Sequence, residues 1–196
     1  CGPADDWEVR EAAAGTAVLS SGSCVTQFGT PDDPDSPQNL FVRWFVAPLQ
    51  VLRKMPYGDG GFVALSTACY LWERYAIAVL KDKGLTPDPE NRIQRLMRDF
   101  EVEEEPARIY WNVIRNGLNH QGMPMRKRQK HFAEWDFRAS YRMAIRLVET
   151  RRGPLLQVQP WLFAERVVAL WTARPDLLTS STSFPWVSVY GVAREW

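Results

Sequence analysis

The amino-acid sequence predicts a mainly α fold: a bundle of four or five helices carrying a small mixed appendage made from the N- and C-terminal segments. Three observations lead there. Residues 62–83 place Phe62, Leu65, Cys69, Trp72, Ala76, Val79 and Leu80 at three- and four-residue steps, the spacing of one buried helical stripe. Glu103-Glu104-Glu105-Pro106 sets acidic groups and a proline where the positive end of a helix accepts them. After Gly153-Pro154 the texture changes to short alternating runs. With 196 residues, 45% hydrophobic and 24% charged, the chain suits one domain with extensions and has the material for a substantial core.

Taken in order, residues 1–39 read as a loop-rich N-terminal extension. Val18-Leu19 and Cys24-Val25 suggest short strands, and three prolines within 31–37 cannot sustain a helix. The bundle is expected over 40–152. Its first helix, 40–54, carries Leu40, Trp44, Phe45, Val51 and Leu52 on one side and should kink or restart at Pro48. Tyr57-Gly58-Asp59-Gly60-Gly61 is a turn. The long helix 62–83 ends at Gly84, with Pro87 and Pro89 beyond it. A shorter amphipathic stretch follows around Ile93, Leu96, Met97 and Phe100. The helix started at Pro106 runs through Ile109, Tyr110, Val113, Ile114 and Leu118 and stops near Gly122 and Pro124. A further helix is expected over 133–152, with Trp135, Phe137, Tyr141, Ala144, Ile145 and Val148 buried. Residues 153–196 form the C-terminal appendage packing on the bundle: a strand at 155–158, a helix at 161–173 and a strand at 186–190.

Composition excludes several classes. Every long apolar stretch is broken by charge, so no membrane span and no membrane partner are expected. Cys1, Cys24 and Cys69 make neither a metal pair nor a disulfide framework, and Cys69 should be a buried thiol. With no secretory signal visible, this cysteine usage points to the cytoplasm. Cys1 in place of methionine suits a trimmed fragment better than a lipid-modified mature end. Two histidines cannot build a zinc cluster, and no phosphate-cradling Gly-rich loop or nucleophile-elbow serine is present. No metal and no cofactor are therefore expected.

The net charge of +1 hides a segregation. Residues 1–40 hold one basic and seven acidic side chains, whereas residues 106–152 hold eleven basic and three acidic. Positive charge gathered in one segment raises the local concentration of a polyanion, although a solvated basic face has the same composition. Arg126, Lys127, Arg128 and Lys130 are the candidate phosphate contacts there.

Inside that segment lies Arg115-Asn116-Gly117-Leu118-Asn119-His120. On an ideal helix Asn116 and His120 share a face, while Arg115 lies on another and must reach around. RNA contains its own nucleophile, the ribose 2′-hydroxyl. Its cleavage needs a base for that proton and fixed positive donors on the phosphate. A histidine titrates near neutrality, and an arginine grips phosphate oxygens through paired N–H groups. The spacing alone is weak, because Arg126 and His131 repeat it in a basic run where a neighbouring arginine is no surprise. Context separates the two: Asn116 follows Arg115, and a well-started helix delivers the first copy to an exit turn.

The hexapeptide resembles the signature of the HEPN superfamily, in which an arginine, a polar residue, three variable positions and a histidine close a late helix of a small bundle. Helix 62–83, with Phe62-Val63-Ala64-Leu65-Ser66 and Leu71-Trp72-Glu73-Arg74-Tyr75, is similar to the earlier long helices of that family. The resemblance covers about residues 40–152. It implies an all-α, HEPN-like bundle that forms a homodimer with both motifs facing one cleft. It also implies metal-independent endoribonuclease activity leaving 2′,3′-cyclic phosphate ends, in a toxin or anti-phage defence system with an antitoxin or other regulatory partner. Arg115, Asn116 and His120 are then the catalytic candidates. Glu73 is the match to an acidic residue that family members carry on an earlier helix, and it could pair with Arg115 across the core or with Arg74 or Lys81 at the surface. Some members are inactive modules that bind RNA, a nucleotide or a protein, so the fold leaves activity open. In a third reading the two ends of the chain carry the function and the bundle is their scaffold.

Overall fold

The computed structural model describes residues 35–125 and 134–180. The strands expected at 18–19, 24–25 and 186–190, Cys1 and Cys24, and the run Arg126, Lys127, Arg128 and Lys130 with His131 lie outside the described residues. What is described is mainly helical, with a small three-stranded sheet.

Helix α1, Pro37–Phe41, starts earlier than expected because the Ser36 hydroxyl accepts the Asn39 N–H at 3.3 Å and Pro37 fits the first turn. The chain then widens into a π turn, Val42–Val46, and resumes as α2, Ala47–Arg53. This is the break expected at Pro48, which has no N–H to offer the carbonyl four residues back. The long helix α3, Gly60–Asp82, lies against α2 so closely at its start that a Cβ on Gly60 would sit 2.2 Å from the Leu52 carbonyl oxygen. The expected stripe is buried from Leu65 through Leu80, while Phe62 packs half-buried at the edge of the core.

Helix α4, Pro89–Phe100, is capped by Asp88, whose carboxylate accepts the Asn91 N–H at 2.8 Å. Helix α5, Glu104–Tyr110, begins at the acidic run, passes through a second π turn, Trp111–Arg115, and continues as α6, Asn116–Gln121. Gly122, at φ +68°, ends it.

Among the described residues 134–152 no helix forms where one was expected. Glu134–Phe137 is strand β1, Ile145–Thr150 is β2 and Gly153–Val158 is β3. The sheet order is β1-β3-β2, with β1 parallel and β2 antiparallel to β3. The reason is a period of two hidden beneath an apparent period of four. Trp135 and Phe137 alternate with Glu134 and Asp136, and Ile145 and Leu147 flank the exposed Arg146. Gly153, at φ +105°, closes the β2–β3 hairpin, and the Thr150 hydroxyl donates to its carbonyl at 2.7 Å. Among the described residues, β1 and β2 fall in the segment expected to be helical, and β3 bears out the strand expected at 155–158.

Helix α7, Pro160–Thr172, bears out the helix expected at 161–173, and a short α8, Pro175–Thr179, follows. Gln159 caps α7 by accepting the N–H groups of Trp161 and Leu162 at 2.6 and 2.9 Å. Phe163, Val167 and Trp171 of α7 are wholly buried in the same core as α3. Phe163 stacks on Phe100 at 4.3 Å and on Tyr110 at 5.2 Å, and the Trp171 indole N–H donates to the Leu71 carbonyl at 3.1 Å. Among the described residues no helix is long and apolar enough to cross a membrane.

Candidate functional site

The site is built where α3, α4 and the helix formed by α5 and α6 meet. Glu73, in the middle of α3, is 8% exposed, and that burial would be costly for a lone carboxylate. It is not alone. Arg115 grips it along one edge, with Nε donating to Oε2 at 3.1 Å and Nη2 donating to Oε1. Arg92 of α4 donates Nη1 to the same Oε1, and Asn119 donates Nδ2 to Oε2 at 3.2 Å. Each carboxylate oxygen therefore has two donors. Burial pushes the Glu73 carboxyl up, but the hydrogen bonds and charge of Arg115, with Asn119 and Arg92 behind them, outweigh it and hold the group below its ordinary value. Two guanidiniums against one carboxylate leave the cluster with a positive excess.

Trp111 supplies a floor. The guanidinium carbon of Arg115 lies 4.4 Å from its ring centroid and that of Arg92 lies 5.2 Å away, both within cation–π range. The remaining fixed bond of Arg115 runs from Nη1 to Asn116 Oδ1, at 2.7 Å. Three of the five guanidinium N–H groups are thereby directed by neighbours.

Local backbone explains why the motif sits here. Beyond Gly122 the chain folds back across α6: the Met125 N–H donates to the Val113 carbonyl at 2.9 Å, and Trp135 Nε1 donates to the Met125 carbonyl at 3.2 Å. The returning strand of chain lies directly on Gly117. A Cβ there would stand 2.6 Å from the Met123 carbonyl oxygen and from the Met125 nitrogen. The glycine in the hexapeptide is thus a close-approach residue. His120, one turn beyond Asn116, is exposed on the final turn of α6.

The structure brings Glu73, Arg115 and Asn116 together. None of the hydrogen bonds within that group reaches His120, which stands apart on the exposed end of the same helix. Sequence reasoning missed two members. Asn119 lies four residues after Arg115 and so shares its face, a signal that was available. Arg92 carries no such signal, because its role depends on how α4 crosses α3. Among the described residues no group of three or more His, Cys, Asp or Glu side chains could hold a metal ion.

Comparison with family models, curated proteins and solved structures finds no match for the chain.

Elsewhere in the core, Cys69 is a buried free thiol, as expected, and burial pushes it up to about 12 despite the opposing effect of the Tyr110 hydroxyl. A second buried carboxylate, Asp99, accepts the Trp72 indole N–H at 2.9 Å and pairs with Arg95 at 2.5 Å. It ties α4 to α3 on the side of Trp72.

Proposed function

We propose that the chain is a metal-independent endoribonuclease of the HEPN kind, working as a homodimer in which two copies of the motif face one cleft, within a toxin or anti-phage defence system. The observation that carries this reading is exposed His120 at the end of the helix on which Arg115 is bonded to Asn116. A guanidinium held by one edge keeps further N–H groups for phosphate oxygens and stays charged throughout. In this reading His120 takes the proton of the 2′-hydroxyl or returns one to the departing 5′-oxygen. Arg115 neutralises the phosphate as charge develops, Asn116 orients it, and Glu73 positions Arg115. Arg126, Lys127, Arg128 and Lys130 are assigned to the RNA backbone. The products are a 2′,3′-cyclic phosphate and a 5′-hydroxyl.

The test is cleavage of single-stranded RNA by purified protein in EDTA, with His120→Ala compared by circular dichroism and activity. Wild-type cleavage in EDTA, lost by at least ~100-fold in a folded His120→Ala variant, is the expected result. Cleavage that demands a divalent cation, or that survives the substitution, overturns the reading. A non-catalytic HEPN-like binding module is favoured by one specific observation: Arg115 is already engaged by a buried carboxylate, as a purely structural arginine would be. That module would bind RNA, a nucleotide or a partner protein without turnover.

A further inference from the structure

The Glu73 carboxylate is shared between two arginines on different helices, and the sharing is uneven. Arg115 contributes one donor to each oxygen, Arg92 one donor to Oε1, and Asn119 one donor to Oε2. Suppose Arg115 turns toward a phosphate. Glu73 then still has one donor on each oxygen, and one of those donors is cationic. Without Arg92 the same movement would leave a buried carboxylate facing only a neutral amide, with no cation to compensate it. The Arg92 side chain is 17% exposed, close to the 16% of Arg115, and its Nε leans on the Asp88 carbonyl at 3.4 Å at the capped start of α4. Arg92 thus reaches Glu73 from α4, and Arg115 reaches it from the other helix, where it also bonds Asn116 and lies over Trp111.

We propose that Arg92 is a positioning residue that keeps Arg115 exchangeable: by neutralising Glu73 from α4, it lets the Arg115 guanidinium divide itself between Glu73 and a phosphate oxygen. The phosphate in question belongs to the RNA of the preceding section, so the biological use of the exchange rests on that reading, although the exchange itself does not. Arg92 acts through charge, so lysine can replace it. Arg115 acts through the paired geometry of its N–H groups, so lysine cannot replace it.

The experiment follows the Arg115 Nε proton by 15N NMR in the full chain without ligand. Arg92→Gln is expected to slow exchange of that proton with water several-fold, because Arg115 is then the one left of the two guanidiniums that hold Glu73. Arg92→Lys should leave it within about twofold of wild type. The same variants are then titrated with an all-deoxy oligonucleotide, which cannot be cleaved. Arg92→Gln should weaken binding about tenfold, equivalent to ~1.4 kcal/mol. The loss should vanish when Arg115 is already alanine and be reversed by adding Glu73→Gln. Unchanged or faster Arg115 exchange in Arg92→Gln overturns the proposal, as does an affinity loss that persists in the Arg115→Ala background. Should Arg92→Gln fail to fold, Arg92→Lys decides: a wild-type exchange rate supports the proposal, and a several-fold change overturns it. If wild-type protein binds neither this oligonucleotide nor RNA of the same sequence, the RNA reading falls, and the exchange rates alone judge Arg92.

Discussion

At the scale of single residues, Glu73 is the most consequential. It is the buried anion on which Arg92, Arg115 and Asn119 converge. Replacing it by alanine should destabilise the chain by about 3–5 kcal/mol, because two guanidiniums lose their partner in a confined space. A urea melt measures this. The pH dependence has a definite sign. The folded carboxyl titrates below its ordinary value, so its contribution is fully present above the ordinary glutamate range and is lost as the pH falls through the lower folded value. Thermal melts of wild type and Glu73→Gln should accordingly differ at neutral pH and converge in acid; a gap that stays constant into acid contradicts the assignment. The sequence made part of this cluster legible. Arg115, Asn116 and His120 stand out by type and spacing, and Glu73 was a candidate partner for Arg115 among others. Which partner wins is decided by how α3 faces α6, and that depends on the packing of Trp72, Ala76 and their neighbours, beyond the reach of local pattern.

At the scale of elements, the exit from α6 deserves a mutation of its own. Gly117→Ala would drive a methyl group into the backbone at Met123–Met125, which is pinned by bonds to Val113 and Trp135 and cannot easily retreat. A loss of about 1–3 kcal/mol is expected, with His120 displaced as the returning chain lifts. Hydrogen exchange of the Met125 amide reports it directly: faster exchange in the variant supports the account, and unchanged protection refutes it. The helices with strong end signals were readable in advance, because Gly84, the acidic run at 103–105, Pro106 and Gly122 act over a single turn. The segment 133–152 was not. Its arginines recur every four residues and its apolar residues tolerate both periods. The partner that selects the strand, β3, lies further along the chain.

At the scale of the whole molecule, α7 is the element that joins the chain's halves. Phe163, Val167 and Trp171 fill the centre against α3, and Arg166 Nε donates to the Asp99 carbonyl at 2.6 Å. Removing everything from residue 153 onward would expose those contacts on α3, α4 and Tyr110, and it would strip β1 and β2 of the strand between them. The shortened chain should lose its cooperative melt and much of its helical circular dichroism. A truncated chain that melts cooperatively near the wild-type temperature would instead show a bundle that stands by itself, as the reading that treats the ends as the functional part requires.

The π turn at Trp111–Arg115 has a consequence for changes in chain length. Its hydrogen-bonded ring spans five residues where an α turn spans four, so it holds one residue more than the helix needs to keep its course. Deleting that surplus, most simply the half-buried Asn112, would let the turn close as ordinary α-helix with the flanking faces still aligned. Arg115 would keep its bearing on Glu73. The same deletion made at Leu118 has no slack to absorb it and would swing His120 by about 100° around the axis. Two shortenings of one residue, six positions apart, should thus differ sharply: a chain lacking Asn112 retains the acid-sensitive stability that Glu73 confers, together with the bearing of His120, and a chain lacking Leu118 loses that bearing.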